Sequence, residues 1–186
     1  ILNGKKKACI FISGSGTNLK ALIKNSREYN FPINISYIIS STNKAKGLDF
    51  AKIYKIPYHV INFNHHLEFE FALRELKKKK IFLICLAGYM KVIRRDFISR
   101  FKYKIINIHP SILPKYKGLN TYARVLKSKD QFTGCTVHHV NSKLDSGKII
   151  IQKKILIKSN DTKMTLKNRV QKKEYKAYAE AIFKII

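Results

Sequence analysis

An amide and an imidazole stand two residues apart in "INIHPSILPKYKG" (106–118). In an extended strand, residues i and i+2 face the same side, so Asn107 and His109 can share one pocket. An amide N–H can stabilise a developing oxyanion, and an imidazole can exchange a proton near neutral pH. Pro110 disfavours helical geometry at His109, and Pro114 keeps the following segment extended or turned. The ordinary alternative is a buried structural histidine. Asp145 lies among turn formers in "NSKLDSGKI" (141–149), in a chain with only 11 Asp and Glu residues. A carboxylate beside an imidazole orients it and favours its charged form. A plain turn aspartate is the alternative reading.

A second candidate is "SGSGTN" (13–18), between an apolar run and a helical stretch. Gly14 and Gly16 permit positive φ and a close approach of backbone to a ligand. The N–H groups that open the next helix suit a phosphate. The loop is neither the dinucleotide fingerprint, which needs glycine where Leu19 stands, nor the P-loop, which needs Gly-Lys-Ser/Thr. A tight turn with a helix cap remains the alternative. The adjacent pairs His65–His66 and His138–His139 do not read as a metal site. Strand neighbours point to opposite faces, and no further His or Cys completes a tetrahedral set. No metal is expected. The run Lys77–Lys80 ends a helix, where cations suit the dipole.

Strands and helices must hold these groups. The pattern predicts strands over 7–13, 33–40, 57–62, 81–88 and 103–108, with 81–88 as the apolar central one. Helices are predicted over 18–26, 44–55 (interrupted at Gly47), 66–80 (with Phe69, Leu73 and Leu76 inward) and 94–101. Two strands, 134–141 and 148–157, then flank a short loop and read as an antiparallel pair. One long helix covers 162–186. The alternation argues an α/β fold, an open and mostly parallel twisted sheet flanked by helices on both faces, with the antiparallel pair near the C-terminal end. No repeat or linker interrupts it, so a single domain over 1–186 is expected.

With 45% hydrophobic residues the composition is that of a globular domain. No apolar run approaches the ~18 residues of a membrane span. The start, "ILNGKKKACIFIS", has too short an apolar piece for a signal peptide and leads into the glycine loop. Cys9, Cys85 and Cys135 are far apart and read as buried inert thiols in a reducing cytoplasm. The net charge of +27 comes with Lys spread along the chain beside Ile, Asn, Tyr and Phe, the residue set of A/T-rich codons. It therefore reads as composition and not as a nucleic-acid face, while still favouring anionic small substrates.

In order along the chain, "ISGSGTNLKALI", "LAGYMKVI" (86–93), "INIHPSILPKYKGLNTY" (106–122), "GCTVHHVNSKLDSGKII" (134–150) and "RVQKKEY" (169–175) resemble the phosphoribosylglycinamide formyltransferase family, folate-dependent enzymes of purine synthesis. The Asn-x-His-Pro-Ser-x-Leu-Pro stretch is shared across the folate formyltransferase superfamily, and the Gly-Ser-Gly-Thr-Asn loop narrows the choice. The resemblance implies a formyltransferase-like, Rossmann-type fold. It implies transfer of a formyl group from 10-formyltetrahydrofolate, a co-substrate, to the amine of phosphoribosylglycinamide. It places Asn107, His109 and Asp145 in catalytic positions. Gly16, Thr17 and Asn18 fall in the phosphate loop, and Gln171 and Glu174 against the ribonucleotide. Met90, Lys91, Val92 and Ile93, with Asn107 and Asn141, Ser142, Lys143, Leu144 and Asp145, line the folate pocket. The chain departs at His65, where members usually carry an arginine nearby, at Ser146–Gly147 in place of a double glycine, and at Asn120 in place of a histidine. Small-molecule substrates, no nucleic acid, no membrane, and a monomer or weak homodimer are expected. Rival readings are a formyltetrahydrofolate hydrolase or methionyl-tRNA formyltransferase of the same fold, and a non-catalytic basic nucleic-acid binder.

Overall fold

A computed structural model describes residues 4–186; the first three residues of the N-terminal stretch discussed above lie outside them. The described residues form seven strands and six helices. The hydrogen-bonded strand order is β3-β2-β1-β4-β5-β6-β7, which makes the run expected to be central the middle strand. The chain divides into two compact units, one running to Ile106 and including Ile186, the other Asn107–Ile185.

The first unit carries β1 (Lys6–Ile12), α1 (Thr17–Arg27), β2 (Ile33–Ser40), α2 (Gly47–Ile53), β3 (Tyr58–Val60), α3 (His66–Lys78), β4 (Leu83–Leu86) and α4 (Arg95–Arg100). β1 pairs in parallel with both β2 and β4, and β2 with β3. Strands covered on both faces need apolar side chains on both, hence the unbroken runs in β1 and β4. In α1, Leu19, Leu22, Ile23 and Ser26 are buried at helical spacing. In α3 the inward residues are Phe69, Ala72 and Leu76, and Leu73 is only half-buried, so the stripe is rotated from the predicted one.

Gly47 begins α2 and does not interrupt it. The reason is a close approach: a Cβ on Gly16 would lie 2.5 Å from the Gly47 Cα, and the Gly47 N–H donates to the Gly14 carbonyl at 3.0 Å. Gly16 also holds φ +71°, which other residues adopt at a cost.

β5 (Lys104–His109) crosses from the first unit to the second. The second unit then has α5 (Thr121–Leu126), β6 (Phe132–His139), β7 (Ile149–Leu156) and α6 (Lys163–Ile185). β6 and β7 are antiparallel, as predicted, with a register shift between Val137 and His138. α6 packs on both, burying Leu166, Val170, Ala177, Tyr178, Ala181 and Ile182. α5 was not foreseen: six residues give too few turns for an apolar period to register. All three cysteines are buried, and none is in a disulfide. Burial pushes the Cys9 thiol well up and Cys135 to about 12, so both are unreactive at neutral pH.

Phe97 is fully buried, with ring centroids of Phe63 at 5.2 Å, Phe11 and Phe69 at 6.0 Å and Phe101 at 6.2 Å. Phe97→Ala is expected to lower stability by about 3–5 kcal/mol, read by urea denaturation. A loss below about 1 kcal/mol would show that this cluster does not hold the first unit.

Candidate active site

The three residues that the sequence offered for chemistry meet in the second unit. β5 alternates, and its last inward positions are Asn107, half-buried, and His109, 5% exposed. The Asp145 carboxylate reaches both. Its Oδ2 lies 3.3 Å from His109 Nδ1, and its Oδ1 accepts from Asn107 Nδ2 at 3.4 Å. The Gly118 N–H donates to Oδ2 at 2.8 Å. Asp145 holds φ +44°, in the left-handed region where Asp is among the tolerated residues.

A fourth residue joins them. His138 is 2% exposed, and its Nε2 lies 3.1 Å from Asn107 Nδ2 and 3.6 Å from Asp145 Oδ1. Its Nδ1 stands 2.8 Å from the His139 carbonyl, which can only accept, so Nδ1 carries the hydrogen. Nε2 is the nitrogen that faces the Asn107 amide. From the sequence, His138 reads only as half of an adjacent pair with His139 that does not make a metal site. The signal it passed over was a polar residue at a buried position near the end of β6. Among the described residues, no group of three or more His, Cys, Asp and Glu side chains could hold a metal ion.

The loop after β5 folds back over the imidazole. His109 Nε2 lies 2.8 Å from the Tyr116 carbonyl. The loop is held by Thr136 Oγ1, which donates to the Ser111 carbonyl at 2.7 Å and accepts from the Leu113 N–H at 3.1 Å. Gln152 Nε2 donates to the Leu113 carbonyl and to Thr136 Oγ1, both at 2.9 Å. The loop that carries Asp145 is held at Gly147, where a Cβ would sit 1.7 Å from the His139 carbonyl oxygen. Ser146 makes no such approach. Its Oγ donates to Asn141 Oδ1 at 3.0 Å, so serine fits there.

Burial draws the His109 pKa below its ordinary 6.5, outweighing the upward pull of the Asp145 carboxylate and the Tyr116 carbonyl. The favouring of charge by Asp145 is present, but it is the smaller effect. For Asp145 the balance runs the other way. Burial would raise its pKa, but the facing His138 ring, the hydrogen bond from the Gly118 N–H and the field of His109 hold it below the usual carboxylate range.

The remaining candidates fall elsewhere in their own units. Gly16 caps α1, with Thr17 opening that helix and Asn18 buried in it. The Ser13 N–H donates to the Gly88 carbonyl at 3.1 Å, and Ser13 Oγ accepts from the Met90 N–H at 2.8 Å, so the glycine loop and 88–93 lie side by side. Met90 and Val92 are 61% and 70% exposed, Lys91 is exposed, and Ile93 is buried. Asn141, Ser142, Lys143 and Leu144 are exposed, with Asn141 Oδ1 accepting from the Lys143 N–H. Gln171 and Glu174 stand about one turn apart on α6, Glu174 buried and close enough to raise Cys135 and Tyr122 further after burial.

A family model described as formyl transferase matches residues 6–182. The chain belongs to the formyl transferase family. It is 42% identical over 177 residues to a phosphoribosylglycinamide formyltransferase of Haemophilus influenzae, covering 93% of this chain and 84% of that protein. It is 40% identical to the human trifunctional purine biosynthetic protein adenosine-3 over 96% of this chain, and spans only 18% of that protein's length. The solved phosphoribosylglycinamide formyltransferase of Brucella melitensis superposes with a TM-score of 0.91 at 35% identity, covering 98% of this chain and 97% of that one. That of Anaplasma phagocytophilum gives 0.90 at 35%, over 96% and 85%.

For this formyl transferase, the His109 imidazole is expected to titrate below 6.5 by NMR. Asp145→Asn removes the neighbouring anion and is expected to lower it further. An unchanged or higher value in the variant would place the carboxylate's influence elsewhere.

Proposed function

We propose that this chain moves the formyl group of 10-formyltetrahydrofolate to the amine of 5'-phosphoribosylglycinamide, in purine biosynthesis. The observation that carries the reading is the buried Asp145 carboxylate facing both His109 and Asn107, in a chain whose relatives along nearly its whole length bear that activity in their names. The folate supplies the formyl carbon. A bond forms from the amine to that carbon, the bond to N10 breaks, and one proton passes from the attacking nitrogen to N10.

Asn107 donates to the developing oxyanion. Its 3.4 Å contact to Asp145 is long enough to be given up, while the 3.1 Å contact to His138 keeps the amide in place. His109, held neutral at pH 7 by burial, accepts a proton directly or through a water. The imidazolium so formed meets two acceptors, Asp145 Oδ2 and the Tyr116 carbonyl, which stabilise it. Asp145 orients the ring and carries the balancing charge. No covalent enzyme intermediate is needed.

Gly16, Thr17 and Asn18 take the substrate phosphate with the N–H groups that open α1, and Gln171 and Glu174 contact the rest of the ribonucleotide. Met90, Lys91, Val92 and Ile93 line the folate pocket, as do Asn141, Ser142, Lys143 and Leu144. In the first unit, the exposed Met90 and Val92 suit a flat heteroaromatic ring. The chain works as one formyltransferase domain over 1–186, in the cytoplasm, as a monomer or weak homodimer on small molecules and not on nucleic acid. Among the described residues no helix is long and apolar enough to cross a membrane.

An absorbance assay of the folate product, run with and without phosphoribosylglycinamide, tests this. Product is expected only with the nucleotide; product without it would make the chain a hydrolase. Asn107→Ala is expected to lower kcat by about 10²–10³, and Thr17→Ala to raise KM for the nucleotide. A near-normal rate in Asp145→Ala would remove that residue from the mechanism. Because His109 must be neutral to accept a proton, kcat/KM is expected to fall as pH drops through a value below 6.5, and to stay level just above it. An acid limb centred above 6.5 would assign the titration to another group.

A further inference from the structure

We propose a second small-molecule site in the first unit, one that takes a nucleoside polyphosphate. A cavity of about 870 Å³ opens at the starting ends of β1, β4 and β5, lined among others by Lys7, Lys77, Lys80, Phe82, Lys102 and Tyr103. It lies at the opposite end of β1 from the glycine loop. At about 3.3 Å per residue, Lys7 and Ile12 are about 17 Å apart along the strand. The cavity is therefore separate from the phosphate loop and does not depend on the function proposed above.

Its charge is one-sided. Eight of the lining residues are Lys or Arg, and Glu70 is the one acidic side chain among them. Glu70 is already taken, clamped by both terminal nitrogens of Arg100. Lys5 is also committed, to the carbonyls of Ser26 and Glu28. Lys7, Lys77, Lys80 and Lys102 are exposed and make no ion pair among the described residues. Four uncompensated ammonium groups around one cavity attract a multiply charged anion.

Aromatic rings line it as well. Phe82 and Tyr103 adjoin, with centroids 5.2 Å apart and planes tilted by 40°. Lys6 Nζ sits 5.0 Å from the Phe82 centroid, and Tyr103 is 55% exposed. An exposed ring beside cations suits a planar base joined to phosphates. A drift in composition raises the lysine count everywhere, but it does not place two adjoining aromatic rings in the lining of the same cavity. The volume falls in the roughly 300–1,000 Å³ range of small-molecule sites, which favours a free nucleotide over a polymer.

Calorimetric titration with ATP, tripolyphosphate and a thymidine oligonucleotide tests the proposal. ATP is expected to bind one to one, and more tightly than tripolyphosphate. The double variant Lys80→Glu/Lys102→Glu is expected to weaken ATP by about tenfold or more; both side chains are exposed, so folding is not at stake. Tyr103→Ala is expected to weaken ATP and leave tripolyphosphate unchanged. Absence of ATP binding, ATP affinity unchanged in the double variant, or tripolyphosphate equal to ATP would each overturn it. An oligonucleotide that displaces ATP and binds more tightly would also overturn it, in favour of a nucleic-acid track.

Discussion

A buried carboxylate needs donors, and the geometry of the second unit follows from supplying them to Asp145. It takes one hydrogen bond from a backbone N–H, at Gly118, and faces two imidazoles and an amide. A buried charge with fewer partners would protonate or pull toward water. Here the donors outweigh burial, so the group stays ionised. The same carboxylate fails to do this for its neighbour. The His109 side chain is about as enclosed as that of Asp145, and there burial wins. One contact thus leaves a neutral imidazole beside an anion at pH 7.

Two loops must be rigid for that contact to exist. The first is fixed by a relay from β7 through β6: Gln152 to Thr136, and both to the backbone of 111–113. The second is fixed at Gly147, whose backbone touches the His139 carbonyl with no room for a side chain. This explains a departure from the family pattern. Of the two residues after Asp145, only the second makes the close approach, so Ser146 is compatible with the site and a side chain at 147 is not.

Much of the fold was legible because parallel strands and amphipathic helices carry short-range periods. β1, β2, β5 and α1 lie within a residue or so of their predicted bounds. The misses are local. α5 is too short to show a period, Gly47 was judged without its neighbour Gly16, and the inward stripe of α3 uses Ala72 where Leu73 was predicted. At the site, Asn107, His109 and Asp145 were legible as residue types beside strand ends and turns. His138 was not, because its partners lie 31 and 7 residues away at no fixed spacing.

By itself the sequence determined the α/β alternation, the antiparallel pair near the end of the chain, and an amide and imidazole on one side of a strand. All of these follow from backbone geometry over a few residues. Only the tertiary structure decided that a second histidine stands against the amide, which nitrogen of that ring carries hydrogen, and which way the His109 equilibrium lies. Those outcomes depend on enclosure and on neighbours brought in from other strands, and neither is written in any local pattern.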